Sequence, residues 1–188
     1  MNDRIKRALS QMKDLEVSRS DPRHSSLYNF ALGAIYSLAR AEQLGYPGQL
    51  QEPGRVWRRM DEAKEMALRM LGEDRPPEQG EWLAGFYFND AIFRLDLAFE
   101  HILRYVGNLG PNAAIGEVRE VPTRRTFPPE LLAIWSERGR NAENMLKHRS
   151  LEVREDPGIS FTDALSIMEN LVCALTWVLL IPSPEEIG

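Results

Sequence analysis

The stretch EWLAGFYFNDAIFRLDLAFEHILRYV, residues 81–106, constrains the fold more than any other part of the chain. Wound at ~100° per residue, it is apolar over most of its circumference. A helix of that kind belongs in the centre of a structure, enclosed by other elements. Gly107 and Gly110 close it. The remaining sequence has to supply the enclosure, and no part of it shows a convincing strand alternation.

Five further segments carry helical spacing and helix punctuation. The first, about residues 3–17, sets Ile5, Leu9, Met12 and Leu15 on one side, and SRSDPRHSS then breaks the chain. The second, about 25–44, ends at Gly45 and Pro47; the third, about 54–71, ends at Gly72. Residues 81–106 are the fourth. The fifth, about 129–149, opens with Pro128 and Pro129 in its first turn. The sixth, about 161–181, starts at Ser160 with Asp163 three residues on, an acidic form of the capping box, and Pro182 and Pro184 stop it. The expectation is an all-α chain: an up-and-down bundle of about five to six helices, one domain over residues 1–181 with a flexible tail over 182–188.

Composition narrows the function classes. Over 188 residues, 43% are hydrophobic and 27% charged, enough for a sizeable core. A net charge of −5 argues against a general nucleic-acid coat or a membrane-surface protein but leaves room for a local basic site. The amino-terminal MNDRIKRALSQMKDLEV lacks the apolar centre of a signal peptide. The longest apolar run, LVCALTWVLLI at 171–181, falls short of the ~20 residues of a spanning helix, so no membrane partner is expected. The single cysteine, Cys173, lies in that run and reads as a buried small hydrophobe; with no intramolecular disulfide possible, the expected compartment is the cytoplasm.

Packing does not account for two places. Residues 108–127, NLGPNAAIGEVREVPTRRTF, read as a loop longer than a bundle needs, carrying Arg119, Arg124 and Arg125: a mobile surface loop, or a flap over a polyanion site. The other is RGRNAENMLKHRS, residues 138–150. On the fifth segment Leu131, Ile134, Trp135, Ala142, Met145 and Leu146 share the core face, while Arg140, Asn144 and His148 follow at intervals of four on the opposite side. Asn141 and Lys147 flank them and Arg149 follows. Histidine exchanges a proton near neutral pH, and arginine offers phosphate a planar fork of donors. A ribose 2′-hydroxyl attacking its own phosphodiester needs a proton acceptor, a cation and a proton donor, which His and Arg supply without metal. Arg140 and His148 stand about 12 Å apart along a straight helix, so a two-fold pairing of chains, Arg of one against His of the other, would bring them to one phosphate.

RNAENMLKHRS, followed by a short loop and ISFTDALSIMENLVCALTWVL, resembles the motif region and final helix of HEPN domains. The likeness is best over residues 130–181, and FYFNDAIFRLDLAFEHILRYV is similar to a core helix of some members. The family is all-α and of about this size. Many members are metal-independent ribonucleases of toxin–antitoxin, abortive-infection and CRISPR systems. Their motif is an Arg, often followed by a polar residue such as Asn, then four to six residues, then His, and active forms pair as dimers. The resemblance implies an RNA-directed cytoplasmic homodimer, with His148 as acid/base, Arg140 as phosphate clamp and Asn141 and Asn144 as positioning groups. Lys147, Arg149, Arg124 and Arg125 would meet the RNA backbone, and no cofactor is implied. Arg140 and His148 have seven residues between them, one more than the motif allows.

Arg94 and His101 on the fourth segment, with six between them, fit the spacing better and fall on one face, with Asp90 one turn before Arg94 as a ready ion-pair partner. The three histidines, His24, His101 and His148, include no pair at helical ligand spacing, which gives a metal site little to work with. The third segment interleaves Asp61, Glu62 and Glu65 with Arg58, Arg59 and Lys64, a solvated ion-paired face; its RVWRRM is locally basic, and Trp57 reads as core. Gly-rich phosphate loops and Ser–His–Asp arrangements are absent. Two function classes remain beside a metal-dependent bundle enzyme: an RNA-directed protein, possessing or lacking endoribonuclease activity, and a non-enzymatic helical dimerisation or interaction module whose polar stripe meets a protein partner.

Overall fold

The computed structural model of the chain describes residues 1–15, 22–46, 79–110, 112–124, 127–139 and 159–180, and every regular element among these is helical. Five α-helices follow one another: α1 (Asp3–Leu15), α2 (Pro22–Gln43), α3 (Gln79–Val106), α4 (Ile115–Arg124) and α5 (Phe161–Leu180). A single 3-10 turn (Pro129–Leu131) and a π-helical turn (Trp135–Gly139) lie between α4 and α5. The chain is all-α over these residues. The third sequence segment, the second half of the fifth and the tail lie outside them.

The core is built around α3. Phe88, Ile92, Leu95, Phe99, Ile102 and Leu103 are fully buried on it, each such side chain stabilising the fold by about 1.5–3 kcal/mol. Helix α2 runs antiparallel along α3 and presents Ala31, Ala34, Ile35 and Leu38, whose small members let the backbones approach. Helix α5 packs against α1, α2 and α3 through Ala164, Ile167, Met168, Leu171 and Leu175. Ile5, Ala8, Met12 and Leu15 form the buried stripe of α1. Arg4 of α1 clamps Glu169 of α5 with two hydrogen bonds of 2.9 and 2.7 Å and donates a third to Ser166.

Helix ends follow local chemistry. At α2 the amide of Tyr46 donates to Ala41 and that of Gly45 to Glu42, a Schellman closure that Gly45 permits with φ of 97°. At α5 the Asp163 amide donates to Ser160 Oγ and the Ser160 amide to Asp163 Oδ2, the reciprocal capping box read from the sequence.

Several expectations need correction. Residues 108–127 contain a helix: Val118 and Val121 are buried where α4 packs on α3, and a Cβ at Gly107 would sit 2.6 Å from Val121, so glycine is what lets the two approach. Helix α2 begins at Pro22, inside the expected break, because proline is at home in a first turn. The fifth segment opens as a 3-10 turn and then a π turn, so a 100° wheel does not carry through it. Cys173 is exposed: the run around it is apolar on all sides, but only one side of α5 faces the bundle. By length and composition α5 passes for a membrane span, over Phe161–Leu179, although half of that stretch is buried inside the structure, as a core helix would be. Finally, α3 is not enclosed all round, since Phe86, Arg94 and Leu97 face solvent.

Candidate functional site

Arg140, Asn141, Asn144, Lys147, His148 and Arg149, together with Arg125, lie outside the described residues. Arg119 and Arg124 lie on α4, Arg124 as its last residue. What the structure does show is how the fifth segment is launched. Trp135 is buried, stacks on Phe99 at 5.1 Å and donates its indole N–H to Asp96 Oδ1 at 2.9 Å. Asp96 is a carboxylate only 3% exposed on the central helix. Gly139 closes the π turn where a Cβ would stand 3.0 Å from Ile167 and 3.3 Å from Trp135. A buried, hydrogen-bonded tryptophan thus anchors the last described turn of the fifth segment.

The alternative pair, Arg94 and His101, lies on the solvent side of α3. At ~100° per residue Phe86, Asp90, Arg94, Leu97, His101 and Arg104 fall within a strip about 100° wide. Helix α2 meets this strip along an antiparallel seam. Asp90 Oδ2 accepts from Ser37 Oγ at 2.5 Å and from Arg94 Nε at 2.6 Å. The Arg94 side chain also lies over Gly33, where a Cβ would come within 3.0 Å of its Nη1. Further along, the His101 ring stacks on Phe30 with centroids 4.4 Å apart. His24 Nε2 and the Tyr105 hydroxyl are 2.8 Å apart at the seam's end, while His24 Nδ1 is buried without a hydrogen-bond partner.

These contacts define the chemistry available. Burial pushes the His101 imidazole below its ordinary 6.5, with Arg104 adding to the effect and Glu100 opposing it, so the ring is neutral at pH 7 and can accept a proton. Arg94 turns back one helical turn to Asp90, and its charge is matched there. Seven residue steps take it to His101, about 10 Å along the axis, so the two do not converge on one phosphate within this arrangement.

Sequence reading missed the other half of this surface. Tyr36 is 58% exposed and Arg40 is exposed on α2; with Gln43 and Tyr87 of α3 they border one cleft. The available signal was an exposed tyrosine one turn from an arginine on the polar side of an otherwise apolar helix. Among the described residues no three His, Cys, Asp or Glu side chains gather in a metal-binding group.

The fold and this surface define the class coarsely: an all-α protein with an aromatic and arginine-bearing seam between two antiparallel helices. No protein-family model, curated protein or solved structure matches the chain.

Proposed function

We infer that the chain is an RNA-directed helical protein that holds single-stranded RNA along the α2–α3 seam. The observation that carries this reading is the placement along the α2–α3 seam of the exposed Arg40, Arg94, Tyr36 and Phe86 with the half-buried Tyr87 and His101. Single strands are bound by arginines that track phosphates and by aromatic faces on which bases stack, at about 1–3 kcal/mol per base. The overall charge of −5 is compatible with this, because the cations are local. The HEPN resemblance of residues 130–181 supports the same substrate class and adds metal-independent cleavage by Arg140 and His148. Cleavage of a mixed-sequence RNA in EDTA by wild type, His148→Ala and His101→Ala tests the whole reading. Loss only in His148→Ala assigns chemistry to the fifth segment, and loss only in His101→Ala assigns it to α3. A wild type that neither binds nor cleaves RNA across pH and salt sinks the reading.

One observation favours a second reading. Leu97 is 39% exposed in the middle of the strip, between Arg94 and His101. RNA gains little from an aliphatic side chain there, whereas a protein partner or second copy would bury it. Tight dimerisation abolished by Leu97→Lys, without RNA affinity, would make the chain a helical interaction module.

A further inference from the structure

On α2, Tyr36 and Arg40 are one helical turn apart and Gln43 lies one turn beyond. Tyr87 faces them from α3, and with Ser37 and Ala39 these side chains line a cleft of about 280 Å³. That is near the low end of the ~300–1,000 Å³ typical of small-molecule sites, enough for one ring system and its substituent. Phe86 meets Tyr87 edge-on, with centroids 5.5 Å apart and planes at 81°, which limits how the tyrosine ring can turn. Ser37 is already committed to Asp90, so the inner wall offers little free polarity. Arg40 is different. Among the described residues its one side-chain hydrogen bond is a long contact of 3.3 Å to Gln43 Oε1, and it makes no ion pair. The neighbouring Arg94, by contrast, gives its Nε–H to the Asp90 carboxylate. The cleft therefore combines two phenol rings, an amide and an unneutralised guanidinium.

We propose that this cleft is a nucleotide subsite: a base lies against Tyr36 and Tyr87, and its phosphate meets Arg40. A planar ring recovers stacking area on the half-exposed tyrosines, and an anion recovers the donors that Arg40 leaves unused. Gln43 stands where its amide can exchange the weak Arg40 contact for a base edge or ribose hydroxyl. The ligand is either a free mononucleotide or one nucleotide of a strand; the strand source rests on the RNA-directed reading above.

The test is titration of the full chain with adenosine 5′-monophosphate, with orthophosphate alone, and with a labelled mixed-sequence RNA of about twelve nucleotides. Tyr36→Ala, Tyr36→Phe and Arg40→Gln are compared with wild type; both positions are exposed, so these variants keep the fold. The nucleotide is expected to bind more tightly than orthophosphate. Tyr36→Ala and Arg40→Gln should each weaken it roughly tenfold, the scale of one stacked base or one charged contact, while Tyr36→Phe retains it. An equal loss in RNA affinity places the nucleotide in a strand. Mononucleotide binding with these losses, but no RNA binding, keeps the cleft and removes the RNA-directed reading. A nucleotide no tighter than orthophosphate, or nucleotide binding indifferent to Tyr36→Ala and Arg40→Gln, overturns the subsite, whether or not RNA binds.

Discussion

Asp90→Asn should lower stability and raise RNA affinity in the same molecule. Asp90 accepts from both Ser37 and Arg94, and its side chain is 27% exposed against 45% for Arg94. Removing its charge costs the surface pair about 0.3–0.5 kcal/mol. Asparagine can still accept from Ser37, but a neutral acceptor forfeits part of a charge-assisted bond, about another 0.5 kcal/mol. The sum, about 1 kcal/mol, should appear as a melting point lower by roughly 2–4 °C for a chain of this length. The RNA side has the opposite sign. One negative charge leaves the seam and the Arg94 guanidinium is released for phosphate, so affinity should rise by about 1 kcal/mol, roughly fivefold. The slope of log affinity against log salt should steepen by about 0.7, one more phosphate neutralised on a single strand. Fluorescence anisotropy with labelled RNA at several salt concentrations reads both quantities, and urea denaturation reads the stability. Affinity that is unchanged or lower in a variant destabilised by the expected amount would refute the claim that Arg94 serves the RNA face.

Three further outcomes follow from contacts elsewhere. Ser160→Ala removes one half of the α5 capping box and should cost about 1 kcal/mol in urea denaturation, with Ser160→Gly costing less. The Arg4 hydrogen bonds hold the Glu169 carboxyl below its ordinary 4.5, partly opposed by burial. Stability from that pair is therefore present above 4.5 and lost as the pH falls through the folded-state value; Glu169→Gln should cost about 1 kcal/mol at pH 7, given the partial exposure of both groups, and almost nothing in strong acid. Burial holds His101 below 6.5, so its contribution is complete above 6.5 and declines as the pH drops toward the folded-state value. His101→Phe keeps a ring against Phe30 and should flatten the stability curve below about pH 6.5, as read by thermal melts.

Much of the architecture was legible because it depends on periodicity and punctuation. The apolar girth of residues 81–106 gave the central helix, and Ser160 with Asp163 gave the start of α5 to the residue. What escaped depended on tertiary context. Helix α4 shows only Ile115, Val118 and Val121 as apolar signals, with Gly116 and Pro122 among them, and it is stabilised by docking on α3. The π turn at Trp135–Gly139 opens on a tryptophan whose buried indole bond goes to Asp96, 39 residues away in sequence. Helical spacing alone treated Cys173 as inward because it cannot say which side of an all-apolar helix meets the bundle. Of the site, the Asp90–Arg94 pair and the shared face with His101 could be read from intervals of four and seven. Tyr36 and Arg40 offered only their spacing of four, since the cleft they line is completed by Tyr87 on another helix.

Photocrosslinking is the most direct test of whether RNA lies along the seam between α2 and α3. A mixed-sequence RNA carrying 4-thiouridine would be irradiated on the wild-type chain and the modified peptides mapped by mass spectrometry. RNA seated along the seam gives adducts on peptides containing Tyr36 and on those containing Phe86 and Tyr87, competed away by unlabelled RNA. Adducts confined to other helices, or none under conditions where the RNA is bound, would contradict that placement.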